Sequence, residues 1–418
     1  MRNPKFCIKT FGCKVNQYES QMIREDFLKN GYVEADDINK ADIYIINTCT
    51  VTSGSDSKSL KAIRAGMRGK GRRVIATGCM IEAGDLDAHK LKGADFIIKN
   101  KDKYRIVEII SEKHSPRPDI ITGFKGHARA FVKVQDGCNN ICSYCKVRIV
   151  RGKSRSRPLR HIMDEAAALI KNGYREIVLT GICLGAYGRD ARKTGGISNL
   201  IRELAKIEGD WRMRLSSIEP KDVTEELIEL ITSEEKLCKH LHVPFQSGDD
   251  EILKKMDRPY TASGYGSIVA RLRMAVPDIA VSTDIMVGFP GEKESNFRNT
   301  LEFIREIQPM RLHVFGFSRR PGTPAYDYKD TVDSALKKKR EHILMDAVKE
   351  FSLEFEKMFI GKEAKVLVED KRDKQGFLQG YTDRYIKVLI DGPDSMKSSL
   401  INCRLTQTSS ALLVGIPV

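Results

Sequence analysis

The stretch Phe131-Val132-Lys133-Val134-Gln135-Asp136-Gly137-Cys138-Asn139-Asn140-Ile141-Cys142-Ser143-Tyr144-Cys145 decides how the chain is read. Phe131–Val134 is a short apolar run that reads as a strand, and the cysteines behind it stand in the spacing CxxxCxxC. In a chain of 418 residues with ten cysteines, composition alone gives three at one fixed spacing roughly 0.006 times, so accident is a poor account. Three thiolates on one tight loop can hold three corners of a cubane iron–sulfur cluster and leave the fourth iron open to an outside ligand. Structural zinc is the alternative, and it wants a fourth protein ligand, which His127 or His161 would have to supply.

Phe131–Val134 is also the first of six strand candidates, each followed by small or polar residues and then a helical pattern. The others are Glu176–Leu179, Arg212–Leu215, His240–Val243, Val281–Val287 and Arg311–Phe315. Six parallel strands with intervening helices predict a partial (β/α)6 barrel, with its chemistry in the loops after the strands. Upstream, Phe6–Thr10, Ile43–Asn47 and Val74–Thr77 alternate with helical stretches at Glu19–Asn30 and Ser57–Arg68, which predicts an α/β domain on a parallel sheet. Cys13, Cys49 and Cys79 fall just past those strands. If two right-handed crossovers set the first strand between the other two, the thiols land on neighbouring strand tips, around one metal centre. A single cysteine there would pass as a small buried hydrophobe; three at equivalent places argue for a shared task.

Pro116–Gly126 reads as a linker, and a helix is expected over Asp333–Phe359 with Ile343, Ala347, Phe351 and Phe355 on its apolar face. Beyond it, alternating segments at Ala364–Val368, Tyr385–Ile390 and Ala411–Val414 predict a small β-barrel. The expected division is therefore an α/β domain at 1–122, the partial barrel at 123–359 and the terminal β-barrel at 360–418.

The composition, 41% hydrophobic and 30% charged, supports several packed cores and excludes disorder, collagen-like repetition and a disulfide scaffold. There is no signal-peptide pattern and no apolar run of membrane-spanning length, so a cytoplasmic protein with no membrane partner and reduced thiols is expected. A net charge of +15 favours a polyanionic partner, nucleic acid first. The basic residues concentrate in Lys58–Arg73 and in Lys125–Arg160, and the second run flanks the cysteine loop, where contact with RNA is expected.

Further motifs accompany the cysteines: Thr10-Phe11-Gly12-Cys13-Lys14-Val15-Asn16-Gln17-Tyr18-Glu19-Ser20, Asn47-Thr48-Cys49, Thr77-Gly78-Cys79, Arg151-Gly152-Lys153-Ser154-Arg155-Ser156-Arg157-Pro158, Leu241-His242-Val243-Pro244-Phe245-Gln246-Ser247-Gly248 and Asp284-Ile285-Met286-Val287-Gly288-Phe289-Pro290-Gly291-Glu292. Together they resemble the radical S-adenosylmethionine methylthiotransferases over nearly the whole chain, and the tail resembles the TRAM domain, an RNA-binding module. The resemblance implies two 4Fe-4S clusters. One, on Cys138, Cys142 and Cys145, would reductively cleave S-adenosylmethionine to a 5′-deoxyadenosyl radical that removes a hydrogen from an unactivated aromatic carbon. The other, auxiliary cluster, on Cys13, Cys49 and Cys79, would hold the transferred sulfur on its open iron, and a second S-adenosylmethionine would supply the methyl group. The wording Gly12–Ser20 is most similar to the branch acting on N6-threonylcarbamoyladenosine beside the anticodon of tRNA. The isopentenyladenosine and ribosomal-protein branches read differently there. The implied partners are tRNA, an external electron donor and a sulfur donor.

Two places depart from the family pattern: Lys146-Val147-Arg148 after the last cysteine, and Cys183 where relatives often have Asn. Cys183 reads most simply as a small residue lining a pocket. For S-adenosylmethionine the candidates are polar or small residues at strand ends: Thr180, Gly181, Ser217, Glu219, Gln246, Asp284 and Gly288. His240 reads as a satisfied core histidine. In the nearly charge-balanced tail, RNA binding would rest on residues such as Tyr381, Arg384 and Tyr385. The competing readings are methylthiolation of a ribosomal protein residue and a zinc-containing RNA-binding protein without catalysis.

Overall fold

The computed structural model describes residues 3–69, 71–85, 91–112, 118–190, 195–407 and 413–418. Residues 116–117 of the expected linker and 411–412 of the last expected strand lie outside the described residues. The chain forms two compact units: Met1–Gly123 with Asp136–Arg155 and Ser318–Tyr326, and Phe124–Gln135 with Ser156–Phe317 and Asp327–Val418. The CxxxCxxC loop therefore belongs to the same unit as Cys13, Cys49 and Cys79.

In the first unit five parallel strands lie in the order Val33–Glu34, Lys5–Thr10, Ile43–Thr48, Arg73–Gly78, Phe96–Ile98. This corrects the expected order, since Ile43–Thr48 and not the first strand takes the middle. The reason is burial. Ile43-Tyr44-Ile45-Ile46 is apolar toward both faces and every residue of its strand is buried, whereas Lys5–Thr10 keeps partly exposed side chains. Ile43 and Ile45 pack with Phe6, Phe27 and Ile106 on one face, and Tyr44 and Ile46 pack with Ile63, Val74 and Met80 on the other. Helices Lys14–Lys29, Ser53–Met67 and Cys79–Ala83 each follow a strand.

In the second unit the six expected parallel strands are present in chain order: Ala130–Lys133, Glu176–Thr180 and Arg212–Leu215 in one sheet, His240–His242, Ala280–Val287 and Arg311–Gly316 in another. Single bridges, Met213 to Leu237 and Ser217 to His242, join the two halves into the wall of a partial barrel. The helix Ser334–Lys357 buries Arg340, Leu344 and Val348, so its inner face is centred on the residues beside the expected stripe. The tail closes into a five-stranded barrel around Val366, Val368, Leu378, Val388 and Leu405.

Where the six strands begin, charged residues converge on the tail. Glu176 is fully buried and takes Arg212 Nε at 2.7 Å, Arg214 Nε at 2.9 Å and Arg129 Nη1 at 3.3 Å. The remaining guanidinium donors reach the tail backbone: Arg212 the carbonyls of Lys365 and Tyr381, Arg214 those of Thr382 and Asp383. Tyr385 stacks on Tyr381 and lies under Arg129, Arg214 and Arg311, while Arg384 pairs with Asp383 and Asp278. The half-buried Tyr381, Arg384 and Tyr385, expected to serve RNA, thus have internal partners in the second unit. Burial pushes the Glu176 carboxyl up, but Arg214, Arg212 and Arg129 reverse this and hold it well below the usual carboxylate range. Its contribution is therefore complete above the ordinary glutamate pKa and is lost only as pH falls through the depressed value. Glu176→Gln leaves Arg212 and Arg214 without this carboxylate and Arg129 with Glu369 alone, and is expected to cost about 3–5 kcal/mol, read from denaturant midpoints at neutral pH.

Candidate active site

Each cysteine of the first trio sits where a strand gives way to a helix. Cys13 is the N-cap of Lys14–Lys29, Cys49 directly follows Ile43–Thr48, and Cys79 opens Cys79–Ala83. Thr10 pairs with Asn47, and Asn47 with Thr77, so the three strand ends are level and adjacent. Gly12 (φ +99°) and Gly78 (φ +98°) turn the chain through the left-handed region just before Cys13 and Cys79. A Cβ on Gly12 would stand 2.9 Å from Cys49 Sγ, so the close approach of this turn to Cys49 excludes a side chain.

Behind the thiols lies buried Asn16. Its Nδ2 donates to the carbonyls of Phe11 (2.8 Å) and Thr48 (3.0 Å), which fixes the amide, and its Oδ1 lies 4.0 Å from Cys13 Sγ and 3.8 Å from Cys79 Sγ. Burial pushes the Cys49 thiol up, and pushes Cys79 up to about 11 against the opposing charges of Arg151 and Lys103. Thiolate at Cys49 and Cys79 is therefore favoured by further positive charge at the strand tips, which coordinated iron would supply.

The second trio stands on a loop closed at its base. Cys138 N–H donates to Gly152 O (3.1 Å), Ser154 N–H to Asn139 Oδ1 (3.0 Å) and Cys145 N–H to Cys142 O (3.1 Å). Gly137, at φ +73°, has no room for a side chain against the carbonyl of Lys153. The segment Ser318–Tyr326 touches both trios' surroundings: Ala325 N–H donates to Ser143 O (2.8 Å), and Arg320 Nη1 donates to Thr50 O (3.2 Å) and to Asp56 (2.5 Å). Sequence reading missed Arg320 and this contact; its only signal was the turn chemistry of Arg320-Pro321-Gly322-Thr323-Pro324.

Among the described residues, the one group of three His, Cys, Asp or Glu side chains whose ligand atoms all lie within 4.8 Å is His242, Asp284 and His313. Tetrahedral zinc with Zn–S bonds near 2.3 Å sets its sulfurs about 3.8 Å apart. Neither cysteine trio has all three sulfurs within 4.8 Å of one another.

The other candidates all lie in the second unit. Gln246 is held at φ +78°, donates its N–H to Asp284 O (2.8 Å), and keeps its buried Oε1 without a partner. The structure places Ser217 beside His242, and His242 Nε2 lies 3.2 Å from Asp284, so Ser217, Gln246 and Asp284 come together on neighbouring strands. Burial raises the Asp284 carboxyl, but hydrogen bonds from His242 and His313 overcome it and hold Asp284 far below the usual range. Thr180 is buried at its strand end, and Gly181 lies against Gln135, whose Oε1 accepts from Cys183 N–H at 2.9 Å. Cys183 itself is buried, in keeping with a lining residue. Two candidates face internal partners: Glu219 pairs with Arg258, and Lys337 methylenes fill the space beside Gly288. Ser216, next to Ser217, was not singled out from sequence, yet its hydroxyl is buried without a partner. The unpartnered oxygens of Gln246 and Ser216 are what a polar cofactor would satisfy. His240 is buried, with its Nε2 3.0 Å from Ser282 Oγ.

Of the basic residues at Lys125–Arg160, Arg129, Lys133, Lys146 and Arg151 are buried, whereas Lys125, Arg148, Lys153, Arg155 and Arg160 are exposed. On Ser53–Met67 and just beyond it, Lys58, Lys61, Arg64 and Arg68 are all exposed along one face.

Residues 132–304 match the Radical SAM superfamily, and residues 5–99 match Uncharacterized protein family UPF0004. The chain is 40% identical over 394 residues to the threonylcarbamoyladenosine tRNA methylthiotransferase of Thermotoga maritima, covering 91% of this chain and 90% of that protein. It is 35% identical over 434 residues to the tRNA-2-methylthio-N(6)-dimethylallyladenosine synthase of Clostridium tetani, covering 98% and 95%. In fold it is similar to a radical S-adenosylmethionine methyltransferase from Kitasatospora setae, with a TM-score of 0.57 at 15% identity over 78% of this chain and 77% of that one. Because Gly12 has no space for a methyl group, Gly12→Ala is expected to displace Cys49 and to lower the iron held by anaerobically reconstituted protein, read by iron and sulfide analysis.

Proposed function

The chain belongs to the radical S-adenosylmethionine methylthiotransferases, and from that premise we propose that it methylthiolates N6-threonylcarbamoyladenosine beside the anticodon of tRNA. The observation that carries this reading is the presence of two separate cysteine trios in one compact unit. In this reading Cys138, Cys142 and Cys145 hold one 4Fe-4S cluster and Cys13, Cys49 and Cys79 hold the other. When bound, the two clusters and S-adenosylmethionine supply the radical, the sulfur and the methyl group. The protein's part is to hold and orient. Gly12 and Gly78 bring the first trio to one point, and Gly137 and the Gly152 carbonyl hold the second loop closed. Gln246, Ser216, Ser217 and Asp284 offer polar contacts to a cofactor at the barrel's strand ends. The exposed stripe Lys58, Lys61, Arg64 and Arg68 has the density that phosphate contacts require.

The similarity to the Thermotoga maritima enzyme supports the threonylcarbamoyl substrate, and that to the Clostridium tetani enzyme makes dimethylallyladenosine the competing one. Mass spectrometry of tRNA nucleosides from cells lacking this protein decides between them: loss of the methylthio derivative of threonylcarbamoyladenosine is expected, and loss of the dimethylallyl derivative alone would falsify the substrate assignment. Cys142→Ala should abolish 5′-deoxyadenosine formation. Cys49→Ala should leave that cleavage in place and remove methylthiolation, and a methylthio product from the Cys49 variant would refute the division of roles.

A further inference from the structure

The two cysteine trios are joined by one buried side chain. Arg151 ends the helix Val147–Arg151, which begins two residues after Cys145, and its side chain is 3% exposed. Its Nη1 lies 2.6 Å from Glu19 Oε1 and 3.3 Å from both carboxylate oxygens of Asp136, and its Nη2 lies 3.0 Å from Glu19 Oε2. The same Nη2 donates to Asn16 Oδ1, which lies 4.0 Å from Cys13 Sγ and 3.8 Å from Cys79 Sγ. Lys103 Nζ, also buried, completes the group at 2.7 Å from Glu19. Asp136 stands two residues before Cys138, so one guanidinium clasps both ends of the CxxxCxxC loop and docks them on the helix that Cys13 caps.

A buried ion pair is a costly way to gain stability, because desolvation offsets most of the attraction, and its best-attested use is to fix one arrangement. Here the fork of Arg151 meets a carboxylate, a second carboxylate and an amide at once, which the single ammonium of a lysine cannot do. Two sequence motifs that carry the family resemblance, Gly12–Ser20 and Arg151–Pro158, thus meet at this residue.

We propose that Arg151 is a positioning residue that sets the separation of the two cysteine trios and places positive charge beside the auxiliary one. The proposal rests on the assignment of the trios given above. In a reaction that carries a radical made at one centre to sulfur held at the other, a small misplacement of the loops lowers transfer more than it lowers cleavage. Loss of the charge also makes the auxiliary centre harder to reduce, since a nearby cation favours the more negative state.

The test uses reconstituted full-length enzyme with Arg151→Lys, which keeps the charge, and Arg151→Met, which removes it. Two quantities are read: methylthio nucleoside formed per 5′-deoxyadenosine, and the midpoint potential of the auxiliary cluster by redox titration in a Cys142→Ala background. Both variants are expected to lower the product ratio by about tenfold or more. Only Arg151→Met should move the midpoint, to a more negative value. An unchanged ratio in Arg151→Lys, or an unchanged midpoint in Arg151→Met, overturns the proposal, as does loss of iron in Arg151→Lys, which would mean assembly and not positioning. Failure of the trio assignment looks different, because the Cys142→Ala and Cys49→Ala proteins would then each keep the iron of both clusters.

Discussion

Level strand ends are the constraint from which the rest follows. Parallel pairing puts Thr10 against Asn47 and Asn47 against Thr77, so residues just past three strands must emerge side by side. A metal centre built there needs no long-range search for ligands, because the hydrogen-bond ladder brings the three thiols close before any metal arrives. The loops must then be tight, and glycines at positive φ before Cys13 and Cys79 make them so.

The same economy governs charge. Buried thiols resist ionisation, and the buried cations near Cys79, Arg151 and Lys103, are themselves compensated by Glu19 and Asp136. The result is a nearly neutral polar core behind the trio, able to accept a charged centre in front of it without a large change in local field. In the second unit Glu176 plays the corresponding part for Arg129, Arg212 and Arg214, where the small tail barrel covers the starts of the barrel strands. Chemistry at the carboxyl ends of the strands and structural closure at their amino ends is the division expected of a (β/α) barrel.

This use of arginine explains why a run of basic residues in the sequence need not form a basic surface. Arg129, Arg151, Arg212 and Arg214 are buried in ion pairs, and their carboxylate partners are buried or half-buried with them. The solvent-facing stripe on Ser53–Met67 was the less favoured of the two basic runs, because helical spacing by itself cannot tell a binding face from a solvated one.

The sequence by itself determined the alternation of strands and helices, the six barrel strands within a residue or two of their ends, and the place of Cys13, Cys49 and Cys79 just past their strands, since these are local properties: periodicity and turn residues. The tertiary structure decided which strand lies in the middle of the first sheet, which cations face inward, and which side chain spans the trios. Asn16, Glu19 and Arg151 are separated by up to 135 residues, and no local pattern marks a buried ion pair whose partners meet only after folding. Long-range pairing is settled by which groups lose water together, and a chain read residue by residue does not contain that information.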